Sequence, residues 1–296
     1  MPGKTTVPAI RARKRSRGSE PIVMLTAYDT PGARIADLAG VDMILVGDSV
    51  ANTVLGHADT LQVDTAVIAH HVAAVGRAAT DALVVGDMPW MSYHLSAEDT
   101  VRNAATLVRA GAGAVKLEGG RVRVPMVEAL VAAEIPVMGH LGLTPQSIHA
   151  MGGYKVQAKD DLGAETLRYD AKALAAAGCF AIVLEGVPDV VAAQVTDEVD
   201  VPTIGIGAGA ACDGQVLVFH DLLGLGERTP PKFVRRYADL RSVAIEAVAA
   251  WAADVRGGSF PADAETYHLP PAGLNPTTMT PGPSGCRGSP GRPGSM

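Results

Sequence analysis

Short apolar runs recur along the chain from residue 22 onward, each closed by a glycine or a charged residue and followed by a longer stretch with helical spacing. Eight of these runs read as strands: IVMLTAY (22–28), MILVGDS (43–49), ALVVGDM (82–88), AVKLEG (114–119), PVMGHLG (136–142), AIVLEG (181–186), PTIGIGAG (202–209) and GQVLVFHD (214–221). Strands alternating with helices are the pattern of βα units around a parallel sheet. Eight of them in a chain of this length predict an α/β fold, a single-domain (β/α)8 TIM barrel. An open doubly wound sheet is the alternative, because a strand count does not establish closure.

The helical stretches carry their own punctuation. In SAEDTVRNAATLVRAG (96–111), Ser96 followed by Asp99 can cap the start and Gly111 can stop the end. The stretches 164–178 and 188–199 read the same way. In the last long pattern, 232–255, Phe233, Tyr237, Leu240, Ala244, Val248 and Trp251 share one face, so this helix is expected to pack on the outside of the barrel. The organisation expected is a flexible basic N-terminus (1–19), a catalytic barrel (20–261) and a disordered tail rich in Pro and Gly (262–296).

Composition narrows the class. With 48% hydrophobic and 19% charged residues in 296, the chain can bury a large core. A net charge of −6 gives no general attraction to nucleic acid or to an anionic membrane. The basic cluster Lys4, Arg11, Arg13, Lys14, Arg15 and Arg17 is read as a solvated terminus rather than a binding arm. Cys179, Cys212 and Cys286 form no CxxC pair, which suggests neither a disulfide framework nor a zinc site and fits a reducing cytoplasm. No apolar stretch approaches the ~20 residues that span a bilayer, and none follows the basic N-terminus as in a signal peptide.

In a barrel, reactive groups gather at the C-terminal strand ends, where the loops converge on one mouth. The polar residues closing the apolar runs are Asp48 with Ser49, Asp87, Lys116 with Glu118, His140, Glu185 and His220. One acid there can be a helix cap; four in phase with the strand ends are costly to bury unless a cation compensates them. Asp48, Asp87 and Glu118 suit Mg²⁺, a hard ion that takes carboxylate, water and substrate oxygens. Gly47 and Gly86, lacking Cβ atoms, are expected to let a ligand approach closely. Lys116 is read either as gripping a substrate carboxylate or oxyanion, or as pairing with Asp87 or Glu118. The glycines of IGIGAG (204–209) are assigned to packing and turn geometry, and the adjacent His70 and His71 to structure rather than joint ligation.

Several ordered motifs carry a resemblance: LTAYD (25–29), LVGDS (45–49), VKLEGG (115–120), GHLGLTPQS (139–147), GGYKVQ (152–157), VLEGVP (183–188), IGIGAG with DGQVLVFHDLLG (204–224) and PKFVRRYADL (231–240). From about Glu20 to about Pro261 the chain resembles the ketopantoate hydroxymethyltransferase family. The resemblance implies a cytoplasmic, Mg²⁺-dependent, class II aldolase-like enzyme of pantothenate synthesis, a homodecamer of two pentameric rings. It would transfer a hydroxymethyl group from 5,10-methylenetetrahydrofolate to 3-methyl-2-oxobutanoate through a Mg²⁺-stabilised enolate, giving 2-dehydropantoate. By the same resemblance Asp48 and Asp87 ligate the metal, with Glu118 directly or through water. Asp48, Ser49, Asp87 and Lys116 contact the keto acid, Glu185 is the proton acceptor, and His140 belongs to the active-site motif. Gly186, beside the expected base, departs from the family pattern and is expected to widen the site or change the exposure of Glu185. The rival readings are another Mg²⁺-enolate barrel enzyme of the phosphoenolpyruvate mutase or isocitrate lyase type, and a non-catalytic assembly or nucleic-acid-binding protein.

Overall fold

The computed structural model describes residues 3–14, 18–78, 81–227 and 229–269. Eight parallel strands pair in chain order, with the last returning to the first: β1 (Ile22–Thr26), β2 (Met43–Val46), β3 (Leu83–Asp87), β4 (Ala114–Glu118), β5 (Val137–Gly142), β6 (Ala181–Glu185), β7 (Thr203–Ile206) and β8 (Gly214–Leu217). The barrel is closed, which decides against the open sheet. Each expected strand is present and shorter than its apolar run, because the last residues of several runs leave the ladder to form the mouth.

The helices, in chain order, are α1 (Val7–Arg11), α2 (Thr30–Leu38), α3 (Val50–Thr53), α4 (Thr65–Gly76), α5 (Ala97–Ala110), α6 (Val124–Ala132), α7 (Ile148–Met151), α8 (Asp161–Ala176), α9 (Asp189–Glu198), α10 (Phe219–Leu223) and α11 (Leu240–Gly257). The longer crossover helices start on side-chain caps. Ser96 Oγ accepts the Asp99 N–H at 3.1 Å, and Asp29, Asp64 and Asp160 do the same for α2, α4 and α8. Gly111 ends α5 at φ 121°, a conformation that favours glycine.

Two apolar layers result. The outer one packs strand residues such as Ile44, Val84, Val115 and Ile182 against helix residues such as Ile68, Leu107, Leu130 and Leu174. The inner one fills the barrel with Met24, Met43, Leu45, Leu83, Val85, Met138, Val183, Ile204 and Val216. Ile10, on α1, belongs to this inner layer and is fully buried.

Residues 3–14 therefore differ from the solvated arm read from charge alone. The Thr5 N–H donates to Asp81 O at 2.7 Å, and Arg13 pairs with Asp42, both just before strands β3 and β2. Lys14 is buried, with Nζ donating to Asp213 Oδ2 at 2.8 Å and to Thr196 O at 2.6 Å. Asp213 Oδ2 also accepts from the Thr203 N–H at 2.8 Å. Asp81, Asp42 and Asp213 lie just before β3, β2 and β8, at N-terminal strand ends, so α1 plugs the bottom of the barrel. The basic residues looked solvent-facing because periodicity does not show that a charged side chain has a buried partner. Arg15 and Arg17 lie outside the described residues.

Contacts divide the chain into two compact units, Met1–Ser242 with the barrel and Val243–Met296. The long pattern expected from 232 becomes helical only at Leu240, leaving Phe233 and Tyr237 outside α11. No residue of α11 is buried, Val248 and Trp251 among them. Of the expected tail, residues 262–269 are exposed and hold one short 3-10 turn, Asp263–Glu265; the remainder lies outside the described residues. No helix of the described residues is long and apolar enough to cross a membrane.

Replacing Ile10 by Ala empties the plug of the inner layer. The expected loss of about 2–5 kcal/mol is read from denaturant midpoints; an unchanged midpoint would mean that α1 does not seal the barrel.

Candidate active site

Along a barrel strand, alternate side chains point inward. On β3 the inner apolar series Leu83 and Val85 continues to Asp87. On β4 Ala114 is followed by Lys116 and Glu118, on β5 Met138 by His140, and on β6 Ala181 and Val183 by Glu185. The barrel interior thus changes from apolar to ionic toward the C-terminal strand ends. Strand register fixes the neighbours: Asp87 lies opposite Lys116, and Glu118 opposite His140.

The result is a buried ionic cluster. Lys116 Nζ is 2.9 Å from Asp87 Oδ1 and 3.6 Å from Glu118 Oε1. His140 bridges two acids, with Nδ1 3.2 Å from Glu118 Oε1 and Nε2 3.2 Å from Glu185 Oε2. Asp48, just beyond β2, joins through its backbone N–H, which donates to Asp87 Oδ2 at 3.0 Å. Ser49 Oγ lies 2.8 Å from Tyr28 Oη, at the edge of the cluster. The Glu185 side chain is 16% exposed, against 4% for His140, so Glu185 is the acid more open to an incoming molecule.

Four carboxylates and two cations do not balance, and the ionisation of the cluster reflects this. Burial raises the Asp48 carboxyl well above the ordinary range, and the charges of Asp87 and Glu118 raise it further. Burial also raises Asp87, against the opposing pull of Lys116. Burial would discharge Lys116, but Asp87, Glu118 and Asp48 hold its ammonium charged above the usual lysine range. For His140, burial and Lys116 act against protonation, yet Glu118 and Glu185 raise the imidazole to about 9. Nε2 faces Glu185 Oε2, and Nδ1 faces both Glu118 Oε1 and Lys116 Nζ, each at 3.2 Å, so the ring sits among two carboxylates and an ammonium. Burial likewise opposes the Glu118 charge, but His140 and Lys116 keep that acid below its ordinary value.

The uncompensated negative charge and two buried oxygens without an aligned hydrogen bond, Asp87 Oδ1 and Glu118 Oε1, fit a divalent cation. Among the described residues, no three His, Cys, Asp or Glu side chains could hold a metal by themselves. Lys116 reaches toward both Asp87 and Glu118, so the donor set suits one or two carboxylates with water and substrate oxygens rather than a cage of three acids.

Other expected residues separate. His220 opens α10, its ring centroid 5.6 Å from that of Tyr28 and its charged neighbours Asp221 and Asp29. It is therefore placed with Tyr28 rather than with the acids: β8 ends at Leu217, and His220 lies in the following helix. His71 Nδ1 lies 2.7 Å from Tyr28 O, and the His70 and His71 rings stand at 88° to each other, which bears out their structural reading. A Cβ at Gly47 would lie 2.9 Å from Ser49 Oγ and 3.7 Å from Asp87 Oδ2, so its absence leaves room at the cluster. Gly86 points the other way; its Cβ would meet Leu107 and Ala112 at 3.3 Å, so it serves helix packing, not ligand approach. Gly186 turns the chain off β6 at φ 55°, a left-handed conformation that favours glycine, so backbone geometry accounts for it.

Two residues of the site have no signal in the pattern of strand ends. Gln146, in the short 3-10 turn Pro145–Ser147 after β5, and Tyr93, in the loop after β3, are buried against the acids. Gln146 stands within the GHLGLTPQS motif, and that proximity to His140 is its only trace in the sequence.

A closed parallel barrel whose mouth gathers buried acids, a lysine and an imidazolium defines an enzyme of the barrel class with acid–base groups at its strand ends. Solved structures with the same architecture include phosphonopyruvate hydrolase in complex with oxalate and Mg²⁺ (TM-score 0.57, 14% identity, 88% of this chain and 93% of that one). Another is 2,3-dimethylmalate lyase, a member of the phosphoenolpyruvate mutase/isocitrate lyase superfamily (TM-score 0.53, 20% identity, 95% and 93%). At such identities the likeness concerns the fold alone. Sequence decides the family: the pattern of ketopantoate hydroxymethyltransferase matches residues 4–263. A 3-methyl-2-oxobutanoate hydroxymethyltransferase of Bradyrhizobium diazoefficiens is 54% identical over 90% of both chains. One from Koribacter versatilis is 55% identical over 85% of both. The chain belongs to the ketopantoate hydroxymethyltransferase family and is a hydroxymethyltransferase.

Replacing Lys116 by Met strands Asp87 and Glu118 without their buried cation. The expected cost is about 3–5 kcal/mol in urea unfolding at neutral pH, and a variant as stable as the parent would refute the central place given to this pair.

Proposed function

We propose that the enzyme transfers a hydroxymethyl group from 5,10-methylenetetrahydrofolate to 3-methyl-2-oxobutanoate, forming 2-dehydropantoate, the first committed step toward pantothenate and coenzyme A. The observation that carries this reading is the set Glu185–His140–Glu118–Lys116–Asp87, linked by contacts of 2.9–3.6 Å in one barrel mouth, with Asp48 bonded to Asp87. Such a set offers a base, a buried cation and oxygen donors side by side.

The Lys116 ammonium, held charged by its carboxylates, faces the negative charge of the keto acid, and the Ser49 hydroxyl donates a hydrogen bond to it. Glu185 removes the proton from C3. His140, whose Nε2 lies 3.2 Å from Glu185 Oε2, orients that carboxylate toward the proton it takes. Asp48 and Asp87, with Glu118 directly or through water, would hold Mg²⁺, which would supply Lewis-acid stabilisation of the negative charge on the keto acid, worth several kcal/mol. Water takes up the one-carbon unit as formaldehyde and releases tetrahydrofolate; the carbon nucleophile adds to the formaldehyde carbon, and the resulting alkoxide takes the proton held by Glu185, which leaves the hydroxymethyl group.

Proton exchange separates this chemistry from binding alone. In deuterated water with saturating Mg²⁺, NMR of 3-methyl-2-oxobutanoate is expected to show loss of the C3 proton signal with the parent enzyme. Glu185→Gln should slow that loss by ~10²–10⁴-fold. Exchange absent from the parent sinks the reading, while undiminished exchange in the variant moves the base elsewhere.

The assembly that goes with this function is a cytoplasmic homodecamer of two pentamers. Exposed Val243, Val248 and Trp251 on α11 support association. Light scattering of the purified chain is expected to give a decamer, and a monomer at micromolar concentration contradicts it.

A further inference from the structure

Gln146 is 4% exposed, and its side-chain amide is fully engaged. Its Nε2 donates to Asp48 Oδ2 and to Met88 O, both at 3.0 Å. Its Oε1 accepts from the Tyr93 hydroxyl at 2.5 Å. Its backbone N–H donates to Glu118 Oε2 at 3.1 Å. Tyr93, buried to 1%, closes the circuit, because its hydroxyl oxygen accepts the Glu118 backbone N–H at 3.2 Å. One residue on the β5 loop thus reaches the carboxylates of two other segments, the end of β2 and β4.

The orientation of this amide is determined by its partners. Met88 O can only accept, so the NH₂ group must face it. The Tyr93 oxygen takes the Glu118 N–H, which leaves its single proton for Gln146 Oε1. A hydrogen bond to one oxygen of a carboxylate sets the plane of the group and leaves the other oxygen free. On Asp48 the bonded oxygen is Oδ2; on Glu118 it is Oε2, and Oε1 remains the one without an aligned hydrogen bond. Glu118 Oε1 faces Lys116 at 3.6 Å and His140 at 3.2 Å, and a cation would share it with them.

We propose that Gln146, backed by Tyr93, is the positioning residue that sets the Asp48 and Glu118 carboxylates for a divalent cation. The role rests on the metal reading given above and adds to it a residue that need not touch the substrate. Hydrogen-bond partners behind metal ligands restrict ligand orientation before the ion arrives, and their loss weakens binding without changing the ligands themselves.

The test uses the full-length enzyme with Gln146→Met, which keeps side-chain length and removes both side-chain donors, and with Tyr93→Phe, which removes one hydroxyl. Mg²⁺ titrated calorimetrically into each metal-stripped protein is expected to bind about 10–100-fold more weakly to Gln146→Met than to the parent. Tyr93→Phe should shift in the same direction by less, and it serves if the first variant does not fold. C3 proton exchange should fall more at limiting Mg²⁺ than at saturating Mg²⁺, a split that a general loss of structure does not produce. An unchanged Mg²⁺ dissociation constant in folded variants overturns the positioning role while leaving the functional reading intact. A parent enzyme that binds no Mg²⁺ overturns the metal reading and this proposal with it.

Discussion

The ammonium of Lys116, buried between Asp87 and Glu118, is the contact on which the mouth of the barrel depends. Three acids at these depths would otherwise meet a medium that solvates them poorly. A buried ion pair is weak evidence for stability, since well-packed apolar groups often do as well. Its place at the strand ends therefore points to chemistry. The neighbours follow from the same requirement: His140 adds a second positive charge, Gln146 donates to one oxygen each of Asp48 and Glu118 and is held in turn by Tyr93, and the surplus negative charge suits a divalent cation.

The two ends of the barrel solve burial in opposite ways. At the bottom, Ile10 fills the apolar interior and Lys14 meets Asp213 within a closed set of hydrogen bonds, so charge there is matched one to one. At the top, the same inward-facing rows end in acids that outnumber the cations. Matched charge holds structure together. Unmatched charge leaves capacity for a ligand, and this division agrees with the general separation of stabilising and catalytic faces in such barrels.

The fold does not choose among the chemistries that barrels of this kind support. Structures of 14–20% identity share the closed barrel, and they include a phosphonopyruvate hydrolase and a dimethylmalate lyase. The family is distinguished by sequence, and motifs such as VKLEGG and GHLGLTPQS bring a lysine, an acid, an imidazole and a buried amide to the mouth. A site is thus a property of side chains on strand ends, and the backbone only brings those ends together.

Alternation of period two and the caps around the helices were sufficient to find the eight strands, the crossover helices and the inward rows that end in Asp87, Glu118, His140 and Glu185, because local backbone geometry dictates those patterns. The sequence by itself did not determine which charged residues lose water. Lys14 and Arg13 looked like a solvated terminus until the fold brought Asp213 and Asp42 to them, and Gly86 looked like a ligand approach until its missing Cβ was found to face α5. Nor did it single out Gln146, whose partners are 98 and 28 residues away. Closure of β8 onto β1, the pairing of Lys116 with Asp87 and the bonding of an amide to two distant acids are long-range events. They arise from strand register and burial, which no local stretch of chain encodes.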